Sequence, residues 1–178
     1  NSPHPKVFQI YVRGDDDWIR ELVRRVVKAE YWGIALTVDS AFYGNRGRLH
    51  PSLIASRRGP ARDFQKGVTW DTLKVIQDEI GSTPFMLKGI MTAEDAAMAV
   101  EHGVDVVYIS NHGGRQLDHG QGTIDVLPEI VDAVAGRAKI VIDGGFLRGT
   151  DVLKAIILGA DMVALGKLQA MAVGAAGE

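Results

Sequence analysis

Val104-Asp105-Val106-Val107-Tyr108-Ile109-Ser110-Asn111-His112-Gly113-Gly114-Arg115-Gln116-Leu117-Asp118 joins an apolar, β-branched run to a polar, glycine-containing one. The run from Val104 to Ile109 reads as a buried strand, and the residues after it put an imidazole and a guanidinium at its C-terminal end. Two glycines let the backbone bend sharply there or pass close to a ligand. His112 can exchange a proton near neutral pH, and Arg115 can clamp a carboxylate through its planar fork. Taken alone, His-Gly-Gly-Arg also suits a loop histidine beside a surface charge, so the rest of the chain has to decide.

The same pattern of an apolar run closing on polar residues recurs along the chain. Val7 to Val12 is a strand by its β-branched and aromatic content, with Gln9 and Tyr11 on one face. Asp15 to Asp17 cap a helix with apolar positions Trp18, Leu22, Val23, Val26 and Val27. Gly33 to Asp39 is the second strand, carrying Thr37 and Asp39 at its end. Ser40 to Lys66 is a long irregular stretch with six arginines or lysines, of the kind that forms an active-site lid; Arg46 stands out because it can fold back over the end of that strand. Thr69 to Ile80 is a helix that stops at Gly81.

Phe85 to Ile90 is the third strand and places Lys88 in an apolar run, where a cation is costly unless it meets an anion or a strong acceptor. Thr92 starts a helix that Gly103 ends, and Val104 to Ile109 is the fourth strand. A helix over Thr123 to Val134 contains Pro128. Lys139 to Gly145 is the fifth strand, closing on Asp143-Gly144-Gly145, and a helix follows from Gly149 to Leu158. Ala160 to Leu165 is the sixth, closing on Gly166-Lys167 before a last apolar helix.

Continuous apolar strands alternating with helices through short connections are the mark of a parallel α/β sheet. A doubly wound sheet would carry a glycine-rich turn after its first strand, and Arg13-Gly14-Asp15-Asp16 is no such fingerprint. Functional-looking residues instead end several different strands, which is the habit of a (β/α)8 TIM barrel with its site on the C-terminal face. Gly144-Gly145 and Gly166-Lys167 then suit a phosphate site built from the last two loops.

Composition agrees with a globular chain: 178 residues, 46% apolar and 24% charged. A formal net charge of -2 gives no footprint for nucleic acid, and no apolar run reaches the roughly 18 to 20 residues of a membrane span. With no cysteine there is neither a disulfide framework nor a thiolate metal site, and no metal is expected. No secretory leader is visible ahead of the first strand, so a cytoplasmic location is the expectation.

The string SNHGGRQLD at 110–118 resembles the active-site signature of the FMN-dependent α-hydroxy-acid oxidases and dehydrogenases, the family of glycolate oxidase, lactate oxidase, mandelate dehydrogenase and flavocytochrome b2. From Phe8 onward the chain resembles the C-terminal part of that barrel, its fourth strand to the helix after its eighth. Six strands read here against five there leave one surplus, and the N-terminal strands are absent. The resemblance implies FMN as cofactor, a small 2-hydroxy acid as substrate and a homo-oligomer as the assembly of the complete protein. The electron acceptor, which separates oxidase from dehydrogenase, is not written in these motifs.

Residue by residue, the resemblance makes Gln9, Thr37 and Ser110 flavin contacts and Tyr11 the hydroxyl that orients the substrate. It makes Asp39 the carboxylate that holds the catalytic histidine, and Lys88 the cation beside the flavin N1 and C2 carbonyl. His112 becomes the base, Arg115 and Arg46 the carboxylate clamp, and Asp143, Gly144, Gly145 and Gly166 the ribityl and phosphate site. Two family arginines are replaced by Leu147 and Lys167, which leaves phosphate binding to Lys167, Arg148 and backbone N–H groups. A barrel of this type needs about 250 residues, so the rival reading is a non-catalytic partial barrel that binds a phosphate-bearing ligand or a partner subunit.

Overall fold

The computed structural model describes residues 4–41 and 63–177. All six apolar runs form strands: β1 (Val7–Ile10), β2 (Gly33–Thr37), β3 (Phe85–Ile90), β4 (Val106–Ile109), β5 (Lys139–Ile142) and β6 (Met162–Val163). They lie in one parallel sheet in the order β1-β2-β3-β4-β5-β6. Each strand therefore pairs with the next one in sequence, and none of the six is surplus. The helices are α1 (Asp16–Lys28), α2 (Asp63–Lys66), α3 (Trp70–Ile80), α4 (Ala93–Glu101), α5 (Thr123–Val134), α6 (Gly149–Ile157) and α7 (Lys167–Ala176). None is long and apolar enough to cross a membrane among the described residues.

The period of two along each strand sorts side chains onto two faces with different neighbours. Ile10, Ile34, Leu36, Leu87, Ile109 and Ile142 pack with helix residues such as Val23, Ile76, Ala96 and Ile130 in the main core. On the other face, Ala35, Met86, Val106 and Val141 cluster with Tyr108 and Ala164, and among the described residues no helix residue joins them. Sequential strand order with helices packed on one face is an incomplete α/β barrel, with its interior on the helix-free side. Truncating a fully buried residue such as Leu36 to alanine costs about 2–5 kcal/mol.

Strand and helix ends follow from local chemistry. Asp15 accepts a hydrogen bond from the Trp18 amide at 3.0 Å, and Thr92 from the Asp95 amide at 3.2 Å, as side-chain N-caps do. In α1 the deepest residues are Ile19, Val23 and Val26, whereas Trp18, Leu22 and Val27 pack from the flank. Asp105 and Asp161, in matching Gly-x-Asp positions, each accept at 2.8 Å an amide at the start of the preceding strand, that of Phe85, first in β3, and that of Ile140, second in β5. Most strands are shorter than their apolar runs, because ladder pairing ends where the neighbouring strand ends. β6 keeps two residues and has β5 as its one strand neighbour.

The stretch from 40 to 66 is not irregular to its end. Asp63–Lys66 forms α2, where buried Gln65 accepts from the Val12 amide at 2.7 Å and donates to the Thr37 carbonyl at 2.6 Å. One side chain thus closes the C-terminal ends of β1 and β2.

Candidate active site

The C-terminal ends of the strands converge on a linked set of polar groups. Gln9 on β1 donates to Thr37 Oγ1 of β2 at 2.7 Å and to Tyr11 Oη at 2.9 Å. Tyr11 Oη lies 2.9 Å from His112 Nε2, and His112 Nδ1 lies 2.5 Å from Asp39 Oδ2. The imidazole is thus held at both nitrogens. A carboxylate can only accept, so the Nδ1 proton belongs on the Asp39 side, and Nε2 is left to accept from Tyr11. Behind the pair, Ser40 donates to Asp39 Oδ1 at 3.3 Å and accepts from Gln116 at 3.2 Å.

His112 reaches this place through a strained backbone. Its φ is 54°, a region that residues with a Cβ adopt at a cost of about 1–3 kcal/mol. Its amide donates to Ser110 Oγ at 3.3 Å, and its carbonyl accepts from Arg115 Nε at 3.0 Å. Arg115 is exposed at the rim with the rest of its fork beside the cleft.

Lys88 is 7% exposed and meets the acceptors that its burial demands. Nζ lies 2.9 Å from Ser110 Oγ, 3.5 Å from Asp143 Oδ2 and 5.0 Å from the centroid of the Tyr108 ring. Burial first, and then the Asp143 carboxylate, push the Tyr108 phenol well above its ordinary value, so it keeps its proton.

A cleft of about 760 Å³ unites these groups, within the roughly 300–1,000 Å³ usual for small-molecule sites. Gln9, Tyr11, Lys88, His112, Arg115 and Asp143 line it, and Gly144, Gly145, Gly166 and Lys167 line it where the last two strands end. Gly144 and Gly145 have φ of 101° and 84°, conformations open to glycine that turn backbone amides toward a ligand. The start of α7 at Lys167 adds a helix N-terminus. A second hollow of about 790 Å³ is lined by Asp15, Asp16, Asp17 and Asp63 with no basic side chain among the described residues, a poor match to an anionic cofactor.

Thr37 and Ser110 are fully buried behind the cleft, and Asp39 reaches it through His112. Arg148 stands apart from the other residues expected at the phosphate: it is exposed at the start of α6, and its amide donates to Asp151 Oδ2 at 3.0 Å. Arg46 lies outside the described residues.

Two residues the sequence reading passed over belong to the site. Tyr108 is two positions from Ser110 and so faces the same side of β4, a placement its spacing announces. Gly89 interrupts an otherwise apolar strand, the usual sign of a bulge or of another backbone passing close by. The β3–β4 register shifts between Lys88 and Ile90, and Asp39 packs against the glycine.

Comparison with known proteins gives one family. A model of FMN-dependent dehydrogenases matches residues 1–58 and 49–178. The chain is 38% identical over 201 residues to the L-lactate oxidase of Nostoc sp. (strain PCC 7120 / SAG 25.82 / UTEX 2576), covering 97% of this chain and 55% of that protein. It is 38% identical to 2-hydroxyacid oxidase 1 of Mus musculus over 188 residues, 90% of this chain and 50% of the relative. The crystal structure of mandelate oxidase with (S)-2-phenylpropionate matches with a TM-score of 0.85 at 36% identity, over 98% of this chain and 53% of that one. The chain thus spans about half the length of the curated relatives it matches.

Proposed function

This chain belongs to the FMN-dependent dehydrogenase family, and from that premise we propose that its cleft serves the FMN-dependent oxidation of a small L-2-hydroxy acid to a 2-oxo acid. The observation that carries the reading is the relay from Asp39 through His112 to Tyr11, opening into the cleft that also contains Lys88.

The donor set suits FMN. Gln9 and Lys88 offer hydrogen bonds and one cation to a polar ring from the wall of the cleft, and the buried hydroxyls of Thr37 and Ser110 hold them in place from behind at 2.7 and 2.9 Å. The turned backbone at Gly144 and Gly145, with Lys167 and the start of α7, suits a phosphate. When bound, FMN supplies the two-electron acceptor that no side chain of the chain can provide.

The protein's own part is positioning and proton transfer. Arg115 offers the free part of its fork to the substrate carboxylate, and by resemblance Arg46 is the second arm of that clamp. Tyr11 Oη hydrogen-bonds the substrate hydroxyl and keeps it against His112. Nε2 of His112 takes up the proton, and Asp39 stabilises the resulting imidazolium through Nδ1. The CH–OH group loses one C–H and one O–H hydrogen, two protons and two electrons in all, in becoming a carbonyl; His112 holds one proton, and the electron pair leaves with the other to the acceptor that FMN supplies when bound.

The relatives are named for lactate, glycolate, mandelate and 2-hydroxyacid oxidation, which supports a short 2-hydroxy acid as the substrate class. The test is visible absorption of the purified chain supplied with FMN. A yellow protein bleached anaerobically by L-lactate or glycolate is the expected result. A chain that takes up no FMN, or whose bound FMN no 2-hydroxy acid reduces, would favour a non-catalytic partial barrel that binds a phosphate-bearing ligand or a partner subunit.

A further inference from the structure

Tyr108 belongs to none of the motifs that carry the hydroxy-acid reading, yet it sits among their residues. The register sets it opposite Lys88 on β3 and Val141 on β5. Its ring is packed in the helix-free face of the sheet, against the cluster of Ala35, Met86, Val106 and Val141.

Three groups share the Lys88 ammonium: the Ser110 hydroxyl at 2.9 Å, the Asp143 carboxylate at 3.5 Å and the Tyr108 ring face at 5.0 Å. A buried ammonium beside a half-buried carboxylate tends to close into a tight pair, because solvent competes only partly for the two charges. Here the separation is longer than the 2.7–2.9 Å of a charge-assisted hydrogen bond. Two features of Tyr108 oppose closure. The ring quadrupole attracts the cation from another side, and the phenol lines the same cleft as Asp143, whose carboxylate helps it hold its proton.

We propose that Tyr108 is a positioning residue for Lys88: its ring face and its hydroxyl together keep the ammonium turned to the cleft instead of locked onto Asp143. The proposal deepens the reading of Lys88 as the flavin's cation and rests on it for its functional consequence. The placement of Lys88 itself can be measured without FMN.

The experiment follows the Lys88 ammonium in the whole chain labelled with 15N-lysine, its NMR signal assigned by loss in Lys88→Met. In the parent, the ring current of Tyr108 separates this signal from the solvated lysines. In Tyr108→Phe the separation persists, and in Tyr108→Leu it collapses. With FMN bound, reversible bleaching by sulfite reports the cation near the flavin. The sulfite dissociation constant is expected to rise about tenfold in Tyr108→Leu and about threefold in Tyr108→Phe, in line with one desolvated cation–π contact.

A Lys88 signal unmoved in folded Tyr108→Leu would overturn the proposal. So would sulfite affinity within twofold of the parent in both Tyr108 variants when Lys88→Met has lost it. Should Tyr108→Leu fail to fold, Tyr108→Phe decides alone by the same sulfite criterion. If Lys88→Met leaves sulfite affinity intact while the Lys88 signal collapses as expected in Tyr108→Leu, the flavin role of Lys88 fails and its positioning by Tyr108 stands.

Discussion

Gly89 and Asp39 approach so closely that a Cβ at position 89 would lie 2.8 Å from both the Asp39 Cβ and its backbone nitrogen. Real Cβ atoms do not come that near, and the obstacle is partly backbone, which has little room to yield. The φ of Gly89 is 110°, which adds strain for any other residue. Because Asp39 orients His112, an error at 89 passes directly to the base. Gly89→Ala is expected to lose about 2–3 kcal/mol of stability from overpacking and backbone strain and to slow flavin reduction in the molecules that fold. Urea unfolding beside rapid-mixing reduction checks both; parent values in the two measurements would remove Gly89 from the support of Asp39.

His112→Ala is expected to leave FMN binding largely intact, since no contact assigned to the cofactor comes from the imidazole. Reduction of the flavin by the hydroxy acid should slow by about 10²–10⁴-fold, the usual contribution of a positioned base. Asp39→Asn should slow it too, by removing the anion that faces Nδ1 at 2.5 Å. Reduction at the parent rate in His112→Ala would dismiss the histidine as the base.

Much of this arrangement was legible in the sequence, for reasons that differ from element to element. All six strands were visible as apolar runs, continuous in β2, β3 and β4, which are buried nearly throughout, and still legible in β1 and β6, which are more exposed. Their ends were not, because pairing with a neighbour decides where a ladder stops: Tyr11, Asp39 and Asp143 lie just past β1, β2 and β5. That is also why they stand at the cleft end of the sheet. The chemistry of His112 and Arg115 was concentrated in nine consecutive residues, whereas α2 and its buried Gln65 were hidden in a basic, glycine-rich stretch without periodicity. Arg148 reads as a cation near a phosphate loop in sequence; its backbone amide donates to Asp151 at the start of α6, and its side chain is exposed there.

Arg115→Lys should weaken hydroxy-acid binding more than it disturbs the flavin. Lysine keeps the charge but loses the fork, one nitrogen of which is already committed to the His112 carbonyl at 3.0 Å. The apparent substrate dissociation constant is expected to rise about tenfold, corresponding to the loss of one charge-assisted hydrogen bond. Absorption titration with substrate under slow-turnover conditions measures it, and an unchanged constant would take Arg115 out of the clamp.

The last prediction concerns alkaline pH and rests on the raised Tyr108 phenol. The unfolded chain releases this proton as the pH passes the ordinary value of 10.0, while the folded chain keeps it. The stability that neutral Tyr108 contributes is therefore whole below pH 10.0 and declines as the pH rises beyond it. The chain has four tyrosines, so a normally titrating Tyr108 would supply about a quarter of the ionisation absorbance near 295 nm. Up to about pH 11, a little above the ordinary tyrosine range, parent and Tyr108→Phe should instead show the same amplitude. The urea midpoint should fall less steeply with alkaline pH in Tyr108→Phe than in the parent. Parallel midpoints together with a missing quarter of the amplitude would show that Tyr108 titrates in water-like surroundings, contrary to its packing beside Lys88 against the helix-free face of the sheet.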